Sequence, residues 1–141
     1  MTWITRKYML ASAACVVLAL ATGCERASSS LGRQIYVDGV GPDGRIAYTQ
    51  GPDWLRFAGV GCVACHGERG QGMTVQANGV TGVAPAVTWA ALAERSYDEA
   101  TLRRALTEGV DPHGREFQYY MPRWGLSDDE FAALVAYLRT L

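Results

Sequence analysis

Five residues concentrate the reactive groups of this chain: Cys62-Val63-Ala64-Cys65-His66. Two thiols three positions apart on a turn of helix point to one side, and an imidazole follows the second. A dithiol redox pair would need only the cysteines, usually after a strand in a βαβ pattern, which this chain lacks. A zinc site needs four ligands, and the other candidates, Cys24 and His113, are far apart in sequence and unpaired. A structural disulfide gives His66 no role. Covalent haem attachment uses all three groups: each thiol adds across a vinyl group, and the adjacent imidazole is placed under the iron as proximal ligand.

A haem iron then takes a second axial group or keeps an open position, and that choice separates electron carriers from ligand-binding or catalytic haem proteins. Met73 lies seven residues after His66, too close along the chain to reach the opposite haem face. Met121 lies 55 residues after His66, in Tyr119-Tyr120-Met121-Pro122-Arg123-Trp124. Pro122 fixes the local backbone, which helps hold an irregular loop in one shape. A methionine that merely fills a gap in the core is the plain alternative for Met121. His113, in Asp111-Pro112-His113-Gly114, is the runner-up ligand, although a histidine in such a turn is usually just exposed.

In order along the chain come the haem motif, a proline loop at Val83-Ala84-Pro85-Ala86, the Met121-Pro122 pair and a C-terminal amphipathic segment. In this the chain resembles the class I, single-haem cytochromes c over roughly residues 51–141. The resemblance implies an all-α cytochrome c fold, with three to four short helices around one covalent haem c. It implies Cys62 and Cys65 as thioether residues, and His66 and Met121 as axial ligands. It also implies that the Pro85 carbonyl accepts a hydrogen bond from the His66 Nδ1–H, which would orient the ring and raise its basicity. The expected protein is an electron carrier rather than an enzyme, working between redox proteins such as a donor dehydrogenase and an acceptor oxidase or reductase. Two other readings stay open. One is a cytochrome subunit of a larger membrane-bound oxidoreductase. The other is a haem sensor or peroxidase-like enzyme with a labile Met121.

The elements that must position these groups are partly legible. Asp53–Ala64 reads as a first helix carrying Trp54, Leu55 and Phe57 into the haem motif. Gly67–Ala84 reads as a glycine-rich loop without aromatic residues, able to lie against a flat haem. Thr88–Ala93 reads as a short helix. Ser96 and Glu99 form a capping box for a helix that stops at Gly109, with Leu102, Ala105 and Leu106 on its apolar face. Ser127 and Glu130 form a second box, opening a helix whose Phe131, Leu134, Val135 and Leu138 share one face. In the resembled family this last helix packs across the first. Ahead of the haem domain, Gln34–Val37 and Arg45–Tyr48 look like strands around the turn residues Gly41-Pro42-Asp43-Gly44, which predicts a small hairpin in an extension over 31–50.

The N-terminus reads as a targeting segment. Arg6 and Lys7 precede sixteen uncharged residues, Tyr8–Gly23, whose densest apolar run is too short to cross a bilayer comfortably. The run ends in Leu20-Ala21-Thr22-Gly23-Cys24, which resembles a bacterial lipobox, so residues 1–23 are expected to be a lipoprotein-type signal peptide and Cys24 the lipid-attachment site. An ordinary cleavage site after Gly23, or an uncleaved membrane helix, are the alternatives. Residues 24–30 then form the attachment cysteine and a polar, serine-rich tether. The expected location is extracytoplasmic, on the periplasmic side and lipid-anchored to a membrane. Without residues 1–23 the chain has no lysine and a formal charge of −3, which excludes a basic nucleic-acid binder.

Overall fold

A computed structural model describes residues 28–77 and 79–141; the expected signal segment 1–23 and Cys24 lie outside them. The elements run α1 (28–38), β1 (Val40–Gly41), β2 (Gly44–Arg45), α2 (Trp54–Ala58), α3 (Val63–His66), β3 (Met73–Ala77), β4 (Val80–Ala84), α4 (Trp89–Glu94), α5 (Glu99–Thr107) and α6 (Asp128–Leu138). The helices supply most of the core, and the two hairpins are local antiparallel pairs.

The expected strand at Gln34–Val37 is instead the second half of α1. Leu31 and Ile35 lie one turn apart, and Ile35 and Tyr36 are buried, a helical rather than an alternating pattern. The Ile-Tyr-Val run favours strand, but a tertiary contact overrides it. α1 crosses α6 at Gly32, where a Cβ would sit 2.0 Å from the Ala133 carbonyl oxygen. The Tyr36 and Tyr137 rings, 5.4 Å apart, close the same crossing. α1 therefore takes the place across the last helix that the sequence assigned to Asp53–Ala64. The polar segment 28–30 also belongs to α1 rather than to a tether.

The turn at Pro42-Asp43 is present, but it joins only two residues on each side, Val40 with Arg45 and Gly41 with Gly44. The next segment is extended as expected, with a different partner. The Ala47 carbonyl accepts from the Gly125 amide at 2.9 Å, the Thr49 amide donates to the Arg123 carbonyl at 3.0 Å, and the Arg123 amide donates to the Gln50 carbonyl at 2.9 Å. Tyr48 bridges to Trp124, and their rings meet edge-on at 5.4 Å.

Two further expectations need correction. Asp53–Ala64 is two short helices, because Gly59 adopts a left-handed φ of 67° and ends α2. Of Trp54, Leu55 and Phe57 only Leu55 is buried in the core, while Phe57 is 87% exposed. The N-cap of α5 is Asp98, paired reciprocally with Thr101, rather than Ser96 with Glu99. Ser96 sits at φ 66°, in the left-handed region, where it turns the chain out of α4 and leaves the extended N-cap conformation to Asp98. The box at Ser127 and Glu130 is present, and the apolar faces expected for α5 and α6 are buried.

The α1–α6 crossing gives a test in which two effects oppose. Alanine is favoured over glycine in a helix interior by about 1 kcal/mol, whereas overpacking costs about 1–3 kcal/mol. Here the obstacle is a backbone carbonyl that cannot rotate away. Gly32→Ala should lower stability by about 1–2 kcal/mol, seen as an earlier denaturant midpoint; a later midpoint would contradict the close crossing.

Candidate functional site

The Cys62–His66 segment is a single helical turn, with the His66 amide donating to the Cys62 carbonyl at 2.9 Å. Its position is set from both sides. On one side the Tyr36 hydroxyl, fully buried in α1, donates to the Gly67 carbonyl at 2.6 Å. On the other, the Gly72 amide donates to the His66 carbonyl at 2.8 Å.

His66 is buried, and its Nδ1 lies 2.8 Å from the Pro85 carbonyl oxygen. A carbonyl can only accept, so Nδ1 carries the proton and Nε2 keeps its lone pair for a metal. The segment between them is not the loop expected over 67–84. Met73–Ala77 pairs with Val80–Ala84 from Met73↔Ala84 to Ala77↔Val80. The hairpin absorbs the extra chain length and returns Pro85 beside Gly72, at the histidine. The sequence signal for it is Asn78-Gly79, a favoured two-residue hairpin turn, between runs rich in threonine and valine. Beyond Pro85, the Arg95 guanidinium donates to the Ala86 carbonyl and, through Nε, to the Ala91 carbonyl at 3.1 Å.

Cys62, Cys65, His66, Pro85 and Met121 all line one cavity of about 610 Å³. Its walls are chiefly apolar and include Leu55, Leu92, Leu102, Leu106 and Trp124. The volume falls in the range of small-molecule and cofactor sites. Burial pushes the Cys62 thiol up to about 12 and raises Cys65 as well. No disulfide joins them. A redox dithiol or a zinc thiolate needs the opposite shift, and among the described residues no group of three or more His, Cys, Asp or Glu could hold a metal ion. The His66 pKa is lowered, first by burial and further by Arg95, with the Pro85 bond opposing. A neutral imidazole in an apolar cavity, with two thiols on the same turn, fits a covalently attached haem.

Met121 is partly buried against the core. Met73 is 45% exposed on β3 and does not line the cavity. His113 lines the cavity but is exposed, in a turn held by Asp111. Asp111 Oδ1 accepts from the His113 and Arg115 amides, each at 2.9 Å, and Oδ2 from Arg115 Nε at 2.6 Å. The sequence reading recognised the turn at 111–114 but missed Asp111 as the acceptor that organises it, and it missed the contacts of the buried Arg123 with the Met121 loop.

Residues 55–141 match the family Cytochrome c. The chain belongs to the cytochrome c family. Its cofactor is accordingly a covalent haem c, one for a domain of this size, and members of the family are typically electron carriers. Searches of curated proteins and of solved structures returned no match. The family match begins within α2, so α1, whose Tyr36 contacts the haem-motif turn, and the 39–54 segment, which pairs with 123–125, lie ahead of it.

The Asp111 turn gives an acid-dependent prediction. Its carboxyl is held below the usual carboxylate range, first by the Arg115 amide, then by the Arg115 side chain and the His113 amide, with burial opposing. A depressed native pKa means that the unfolded state takes up the proton first as pH falls. The contribution of Asp111 is therefore present above about pH 4 and is lost below it. Denaturant titrations of the haem-loaded protein at several pH values should show a shallower acid loss in Asp111→Asn than in the parent; parallel acid limbs would contradict the assignment.

Proposed function

We propose that this cytochrome is a class I, membrane-tethered, extracytoplasmic carrier of single electrons. In this reading Cys62 and Cys65 would hold the haem by thioether bonds, and His66 and Met121 would be its axial ligands. The observation that carries it is that His66 and Met121 line one apolar cavity, with the His66 Nδ1–H already committed to the Pro85 carbonyl. The haem supplies one-electron chemistry between ferric and ferrous iron, and a methionine ligand favours the ferrous form.

The protein's part is positional. The Pro85 carbonyl fixes the imidazole tautomer and ring plane, and keeping that plane unchanged between oxidation states limits reorganisation. The apolar walls exclude water from the cavity. The loop holding Met121 would close the sixth position, which distinguishes a carrier from a sensor or peroxidase.

Attachment of c-type haem outside the cytoplasm and the signal-like segment ahead of Cys24 support the location. With the anchor at Cys24, the lipid would lie only a few residues along the chain from the described part of α1. The domain would stay close to the bilayer, where membrane-bound donors and acceptors meet it at high effective concentration. No helix among the described residues is long and apolar enough to cross a membrane.

Absorption spectra of the haem-loaded protein, oxidised and reduced, with and without carbon monoxide, test the reading. A weak far-red band in the oxidised form and no carbon monoxide response are expected. A rapid carbon monoxide shift would point to an open site and to the sensor or enzyme alternative. Met121→Ala should retain covalent haem, lose the far-red band, bind carbon monoxide and show a lower reduction potential. An unchanged six-coordinate spectrum in that variant would remove Met121 as ligand.

A further inference from the structure

We infer that Arg123 is the positioning residue of the Met121 loop, locking residue 121 at the cavity and placing a fixed positive charge beneath it. The inference rests on Met121 being the distal ligand.

Arg123 is 7% exposed, a rare state for arginine. None of the ion pairs among the described residues includes it. Its guanidinium donates instead through Nη1 to the Met121 carbonyl and through Nη2 to the Phe117 carbonyl at 3.0 Å. One planar fork thus ties together two points of the loop four residues apart, which a single ammonium centre cannot match. The main chain of Arg123 is held independently by Thr49 and Gln50.

The rest of the fold makes room for this side chain. A Cβ on Gly109 would fall 1.6 Å from Arg123 Nε and 1.8 Å from Cζ. Gly109 also has a φ of 75°, and its carbonyl accepts from the Phe117 amide at 2.7 Å. The guanidinium therefore lies in a notch at the C-terminal end of α5, against the loop it holds. That end of a helix carries partial negative charge, which suits a cation. Bracing two carbonyls requires only neutral donors, and burying a cation without a carboxylate is costly. The added effect of the charge would be electrostatic: held at the Met121 carbonyl, it would disfavour the more positive ferric state of an iron bound by that residue.

The test uses haem-loaded protein and exogenous imidazole as a competitor for the sixth position of ferric iron. Arg123→Gln should tighten imidazole binding about tenfold, equivalent to about 1.4 kcal/mol, and lower the reduction potential. Gly109→Ala, which displaces the guanidinium without altering it chemically, should also tighten imidazole binding. Arg123→Lys should tighten imidazole binding while holding the potential closer to the parent's than Arg123→Gln does. If Arg123→Gln yields no holoprotein, Gly109→Ala and Arg123→Lys carry the test. Parent-like imidazole affinity in these variants, with Met121→Ala binding imidazole freely, would overturn the role of Arg123 and leave the ligand in place. A Met121→Ala variant that keeps its six-coordinate spectrum would instead overturn the ligand reading, and the inference with it.

Discussion

The hydrogen bond between the His66 Nδ1–H and the Pro85 carbonyl is the constraint around which the haem-motif side of this molecule is arranged. An imidazole in an apolar cavity has no water to fix its tautomer, so the protein must supply the acceptor. The β3–β4 hairpin brings Pro85 back to the histidine. Arg95 then holds the Ala86 carbonyl, so the residue after Pro85 is tied to the end of α4. Thr88, whose hydroxyl accepts from the Ala91 amide, starts α4 two residues later and prevents the proline segment from drifting along it. Each of these contacts is local and modest. Together they leave the imidazole one orientation.

The Met121 side is organised differently. Its loop belongs to no regular element, and it is steadied by residues distant in sequence. Segment 47–50 lies along 123–125 through three backbone hydrogen bonds, and Leu106 of α5 accepts from the Trp124 amide at 2.7 Å. Loops held this way depend on tertiary contacts rather than on their own propensity. The segment ahead of the family match is therefore part of the haem-binding architecture: α1 presses on the haem-motif turn through Tyr36, and residues 47–50 support the methionine loop. Their separate positions in the chain conceal a common task, to hold two segments on one cavity.

What could be read from the sequence was chemistry and local periodicity. Residue type and spacing single out the C-x-x-C-H motif, the resemblance to a known family adds the Met-Pro pair and the proline loop, and all of these line the cavity. The apolar faces of α5 and α6 follow from a 3.6-residue period and from capping chemistry at Ser127. Longer-range facts escape this kind of reading. The strand-like composition of Gln34–Val37 conceals a helix whose deciding contact is with Ala133, about a hundred residues away. The Arg45–Tyr48 segment does run extended, but nothing within it names residues 123–125 as its partner.

The hairpin over 73–84 is a different case, since its signal is local. Asn78-Gly79 between threonine- and valine-rich runs favours a tight turn, while the surrounding glycines suggest loop. The ladder is decided by the ends of the segment, where Gly72 is bound to the His66 carbonyl and Pro85 to its side chain. Two ends pinned to one residue leave the intervening chain little choice but to double back, and β-branched residues on both arms make an antiparallel ladder the favoured way to do so. Here the site shapes the local structure as much as the local structure positions the site.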